Sequence, residues 1–236
     1  MCHFGKDRRD ESTGSLSVAK YSSLASLPQN TLCQKAYDFA AARLPLSIFN
    51  HSIRVYLHAQ QLASMSPIKT ATDQETLLFI AAVFHDLGTC EEFNGPERFE
   101  VCGADAAVAF LREHAPEMPH CDVHDVWIGI ACHTSPEIAE RISLFSRTVR
   151  LAVLIDFDRP GLREEHGLGG IASQIEQRLP RLDIERVLGD AVVWQIMRRH
   201  DPAARLRKAP NNSWPGSLLR GELEKEAGFE GINKYF

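Results

Sequence analysis

Apolar positions recur along most of this chain at the three-to-four residue spacing of buried helix faces, and alternating apolar-polar runs with hairpin turns are almost absent. Residues 1–28 are the exception: Lys, Arg, Asp, Ser and Gly follow one another with little periodicity, and they read as a mobile arm. From Thr31 the pattern predicts a helix over 32–43, carrying Leu32, Tyr37, Phe39 and Ala40 and broken at Pro45. A second helix over 49–65 places Ile53, Leu57 and Leu62 near one stripe and ends before Pro67. Asp73 is a good N-cap for a third, which runs through the apolar stretch Leu77 to Phe84 to about Leu87 and stops at Gly88.

A polar loop over 91–98 leads into a helix over 99–111, where Gly103, Ala104, Ala106 and Ala107 would allow close approach to a neighbour. The Pro-rich stretch 113–120 reads as exposed loop. Helices over 122–133 and 136–156 follow, split at Ser135-Pro136, then a loop containing Gly161, Gly167 and Gly170. Further helices near 171–178 and 183–200 precede a Pro- and Gly-rich tail. The pattern predicts an all-α helical bundle, with residues 29–236 forming one domain.

Composition narrows the setting. The 236 residues carry a net charge of −5 and no Lys/Arg block, so no nucleic-acid surface is expected. The six cysteines form no C-x-x-C pair and no regular spacing, which in a chain this long reads as reduced thiols of a cytoplasmic protein. No apolar run approaches a membrane span, and the first twenty residues hold no apolar core of a signal peptide. A homodimer is compatible with a helical domain of this size, and a small molecule is the expected partner.

The chemistry concentrates where polar residues interrupt or close apolar helices. His85-Asp86 closes the run ending at Phe84, Asp156 closes Val149 to Ile155, and His51 lies inside an apolar helix with His58 seven residues on. Burying such groups unpaired costs several kcal/mol. A divalent cation would partner two imidazoles and two carboxylates at once, so His51, His85, Asp86 and Asp156 are candidate ligands for zinc, with iron or manganese able to fill the same shell. Taken singly, each also has a plain reading as a hydrogen-bonded core histidine or a helix-end carboxylate.

Taken in order, His51, His85-Asp86 and Asp156 resemble the signature of the HD-domain superfamily. The strings His51-Ser-Ile-Arg-Val-Tyr56, Phe84-His-Asp-Leu-Gly-Thr89, Arg98-Phe-Glu-Val-Cys-Gly-Ala-Asp-Ala-Ala107 and Ile130-Ala-Cys-His-Thr-Ser-Pro136 are similar to its cyanamide hydratase-like branch. The likeness spans about residues 45–165 and, more faintly, Ser213-Trp-Pro-Gly216. For the last ligand the chain offers both Asp156 and Asp158. Matching Leu151 to Ile155 favours Asp156, and counting back from Gly161 favours Asp158.

The resemblance implies an HD-type helical bundle and a zinc-dependent lyase that hydrates a small nitrile such as cyanamide to urea. It implies His133 as the proton-shuttling catalytic residue and Thr89 and Thr134 as substrate-binding hydroxyls. Arg98 and Glu100 fall at positions that lie between the metal helices, where they would orient ligands or simply pair with each other. An HD phosphohydrolase is the first rival. That nucleotidase type tends to carry a Glu where this chain has Thr89, and only Arg54 and Arg98 stand out as cations. A di-iron oxygenase would call on His114, His120, His124 and His133, and a non-catalytic scaffold would not need the ligand set.

Overall fold

The computed structural model describes residues 26–224 except Pro67, Lys69, Ala71 and Pro160, and most of the expected arm lies outside them. Among the described residues there are twelve α-helices and no strand. None of these helices is long and apolar enough to cross a membrane. They are α1 (Thr31–Ala41), α2 (Leu46–Met65), α3 (Gln74–Phe84), α4 (Phe99–His114), α5 (His120–Ala131), α6 (Ala139–Ile142), α7 (Leu144–Asp156), α8 (Leu162–Glu165), α9 (Gly169–Arg178), α10 (Ile184–Met197), α11 (Pro202–Lys208) and α12 (Trp214–Glu224).

Helix α3 is apolar on all sides and therefore sits at the centre: every residue from Leu77 to Phe84 is at most 1% exposed. Its start is fixed twice. The Asp73 carboxylate accepts from the Thr76 amide at 3.0 Å, and Asn30, which caps α1 by accepting from the Cys33 amide, donates to the Thr76 hydroxyl at 2.9 Å. Helix α2 packs against both α3 and α7, while α4 lies along α5, and these five surround the core. Fully burying each Leu, Ile or Phe of α3 contributes about 1.5–3 kcal/mol, enough to offset the modest capping terms at its ends.

The departures from the sequence reading have local causes. Helix α3 ends at Phe84, and a 3-10 turn over Leu87–Thr89 follows. Gly88 is needed because a Cβ there would overlap the Phe99 carbonyl oxygen, and Gly103 because its Cβ would lie 2.8 Å from the Phe84 carbonyl. The small residues of α4 thus do bring it close, and they bring it against the His85-Asp86 turn. The stretch 136–156 divides into α6 and α7 because Ser143, in extended conformation, caps α7 by accepting from the Ser146 amide at 3.1 Å.

The Pro- and Gly-rich tail, for which the sequence pattern predicts no element, contains two helices. Pro202 stands in the first turn of α11, capped by Asp201, and Pro215 in the first turn of α12, where Ser213 accepts from the Gly216 amide at 3.2 Å. A proline in a first turn removes no intrahelical hydrogen bond. These helices are held by a second apolar cluster, Phe99, Val192, Val193, Ile196, Ala209 and Leu218, and α10, which carries three of those residues, is tied to the 3-10 turn by Gln195 donating to the Gly88 carbonyl at 3.0 Å. They close over the end of the bundle where the 3-10 turn lies.

Candidate metal centre

Three imidazoles and one carboxylate converge beneath these helices, each placed by a different element. His51 comes from α2, His85 and Asp86 from the end of α3, and His133 from the turn after α5. All four side chains are buried. Each imidazole is oriented by its Nδ1. That of His85 lies 2.6 Å from the Ala82 carbonyl and that of His133 2.7 Å from the Ile130 carbonyl. A carbonyl oxygen only accepts, so both rings carry their proton on Nδ1 and present an Nε2 lone pair inward. His51 Nδ1 sits 2.7 Å from Asp156 Oδ2, which fixes the same tautomer.

The inward atoms are close together. His51 Nε2 is 3.1 Å from His85 Nε2, and Asp86 Oδ2 lies 3.5 Å and 3.1 Å from these two nitrogens. Donors placed 2.0–2.1 Å from one tetrahedral ion would stand about 3.3 Å apart, so this trio suits a single cation. Neither carboxylate oxygen of Asp86 has a well-aligned hydrogen bond, although both are buried. Two facing lone pairs and a buried carboxylate without donors are the arrangement that a divalent ion relieves. His51, His85 and Asp86 therefore fit the three-ligand, open-position pattern of catalytic zinc sites.

The electrostatics agree. Burial lowers the pKa of His51, against the pull of Asp156. Burial also opposes a charge on His85, yet the adjacent Asp86 carboxylate outweighs it and raises His85 above its ordinary value. Asp86 is brought down to about 2, burial being overcome by His85, His51 and His133. Burial and then His85 push His133 down to about 3, so it is neutral at pH 7.

The other sequence candidates fall into distinct places. Asp156 ends α7 on the far side of His51 from the trio. Its oxygens accept from Arg54 Nε at 2.7 Å and Arg54 Nη2 at 2.8 Å, a fork that, with the His51 contact, holds its pKa well below the usual carboxylate range despite burial. Asp158 is turned outward, 67% exposed and paired with Arg163 at 3.1 Å. Thr89 donates its hydroxyl to the Asp86 carbonyl at 2.6 Å, an i to i−3 bond that braces the 3-10 turn, and it is not among the residues lining the cavity. Thr134 does reach the cavity, donating to Glu100 at 2.5 Å and accepting from Arg98 Nη2 at 2.8 Å, so the Arg98–Glu100 pair supports the turn that carries His133. His120 and His124 stack on the surface of α5, and His114 packs on Phe110.

A cavity of about 430 Å³ opens on the trio, floored by His51, His85, Asp86 and His133. Its outer wall comes from Leu188 of α10 and from Asn212, Ser213, Trp214 and Ser217 around the start of α12, and Arg150 and Arg159 line its sides. Sequence reasoning did not assign these residues. Arg150, a charge inside the apolar run of α7, and the string Ser213-Trp-Pro-Gly216 were the signals available.

Residues 48–156 match the HD domain family, generally metal-dependent enzymes that include hydrolases and phosphohydrolases. No curated protein matches the chain. The matched segment begins three residues before His51 and ends at Asp156, so it holds the whole trio and its orienting carboxylate. Residues 48–156 are thus similar to the HD domain family, in a chain that is all-α among its described residues and brings together a His-His-Asp group able to hold a divalent metal.

Proposed function

We propose that this protein is a zinc-dependent hydratase that adds water across the carbon–nitrogen triple bond of a nitrile, cyanamide being the smallest such substrate and urea its product. The observation that carries the reading is the His133 Nε2 lone pair, 3.7 Å from Asp86 Oδ1 at the floor of the cavity and locked in that tautomer by Ile130. His51, His85 and Asp86 would hold the ion, with Asp156 orienting His51 from behind. When bound, the ion supplies Lewis-acid activation, bringing the pKa of water toward about 7.

The chain's own residues then manage one proton. As the water oxygen bonds to the nitrile carbon, His133 Nε2 takes a water proton and returns it to the nitrogen as the π bond opens. The resulting imidic acid tautomerises to the amide. Arg150 Nη1 donates to the His133 carbonyl at 2.8 Å and its Nε to Glu140, which keeps the turn carrying His133 fixed. The apolar side chains Val153, Leu154, Phe157 and Leu188 line the cavity and limit competing water.

The test is urea formation from cyanamide by the metal-loaded chain, with His133→Ala alongside. The variant should keep its metal and lose turnover by about 10²–10⁴-fold. No hydration of either cyanamide or a larger nitrile by the metal-loaded wild type, or full turnover in the variant, would remove this reading. The specific observation favouring an HD phosphohydrolase instead is the pair of guanidiniums, Arg150 and Arg159, on the cavity walls. Release of phosphate from a phosphomonoester such as p-nitrophenyl phosphate, without urea formation, would establish that alternative.

A further inference from the structure

We infer that the molecule acted on at this site is an organic oxyanion, with its reacting group at His133 and a carboxylate or phosphate held by Arg159. The inference rests on the reading of the trio as the reactive centre and specifies the other end of the substrate. Cyanamide has three non-hydrogen atoms and would occupy little more than the room of a water or two, at about 30 Å³ each. The cavity of about 430 Å³ lies within the range of about 300–1,000 Å³ that encloses much larger ligands.

The walls define the charge of that ligand. The charged side chains facing the cavity are two guanidiniums, Arg150 and Arg159, and one carboxylate, Asp86, which is turned to the imidazoles. Arg150 spends Nε on Glu140 and Nη1 on the His133 carbonyl. Arg159 differs: it lines the cavity while remaining exposed to solvent, and its side chain makes no hydrogen bond or ion pair among the described residues, although it sits just after α7 among acidic neighbours that pair elsewhere. Asp158 pairs with Arg163, and Glu176 with Arg163 and Arg181. An unclaimed guanidinium on the wall of a cavity with excess positive charge is suited to a planar or tetrahedral oxyanion. The same cavity is lined by apolar side chains, Val153, Leu154 and Phe157, which fit an apolar spacer.

The experiment compares two ligands of one shape, 4-cyanobenzoate and benzonitrile, by titration calorimetry on the full metal-loaded chain. 4-Cyanobenzoate should bind on the order of tenfold tighter or more, the difference a charge-assisted hydrogen-bonded pair contributes. Arg159→Met should abolish that preference and Arg159→Lys restore part of it. Equal affinity for the two ligands in the wild type, or an unchanged preference in Arg159→Met, overturns the inference.

Acetate and inorganic phosphate serve as competitors against 4-cyanobenzoate. Stronger competition by phosphate assigns a phosphate-bearing substrate, stronger competition by acetate a carboxylate, and competition by neither overturns the oxyanion site. Binding and turnover separate the two levels of argument. Arg159-dependent binding without conversion to the amide would remove the hydratase reading and keep this one. Amide formation with no dependence on Arg159 would do the reverse.

Discussion

Asp156, at the end of α7, is held chiefly by two side chains of one other helix, α2. Arg54 grips both its oxygens and His51 donates to one, so the carboxylate neutralises a fully buried guanidinium and sets a tautomer at the same time. Asp156→Asn should therefore cost about 3–5 kcal/mol in urea unfolding at neutral pH, because it strands the Arg54 charge. The sign with pH follows from its pKa, held well below the ordinary value of 3.8. Its contribution is complete above that ordinary value and is lost as pH falls through the depressed one. The stability gap between wild type and variant should narrow on acidification, and a gap that widens would refute the assignment. As an orienting group, Asp156 should affect metal affinity by only about 10–100-fold in a chelator competition, whereas a direct ligand would abolish binding. That Asp156 matters was legible from its place at the end of an apolar run. Which way its carboxylate turns was not, since that is decided by Arg54 on another helix.

Helices α3 and α4 meet through two glycines, and this contact fixes the turn that presents His85 and Asp86. Gly88→Ala would drive a methyl into the Phe99 carbonyl, and no rotamer change can move a backbone oxygen. The expected loss is about 3 kcal/mol in thermal or denaturant unfolding, with a fall in bound metal as the His85-Asp86 turn shifts. A variant with unchanged stability and metal content would show that the turn has slack the structure does not. Most helices were legible from period and caps: Asp73 starts α3 as its residue type predicts, and the small side chains of α4 announce a close neighbour. What misled were breakers read without context. Gly88 looked like a helix stop and is a point of close approach. Pro202 and Pro215 lie in a tail for which no element was predicted and stand in first turns, where proline costs nothing. Ser143 gave no warning within a long apolar period, because whether a serine caps or merely interrupts depends on the backbone it finds.

At the scale of the whole molecule, the cavity floor belongs to the segment that matches the HD family and the outer wall to the helices after it, joined by Gln195 on the Gly88 carbonyl and Lys208 on the Glu97 carbonyl at 3.0 Å. Metal at the floor should therefore stabilise the assembly as a unit. At free metal about 100 times Kd the gain is about 2.7 kcal/mol, visible as a rise of several degrees in Tm over chelator-treated protein. Its pH dependence is set by His85, which must give up its proton to offer Nε2. The Asp86 carboxylate raises His85 above its ordinary 6.5, whereas burial keeps His51 lowered and out of the competition. In the metal-free protein the protonated His85–Asp86 pair adds stability below the unfolded value of about 6.5, and this is lost as pH rises through the raised one. Metal affinity runs the other way, falling about tenfold per pH unit below that raised value. Both effects have one consequence: the Tm increment on adding zinc should be largest near pH 8 and shrink toward about pH 6. His85→Gln, whose amide has no titrating lone pair, should show a small increment that does not vary over the same range. An increment in the wild type that is constant with pH, or larger in acid, would mean that the ion is held by something other than this trio.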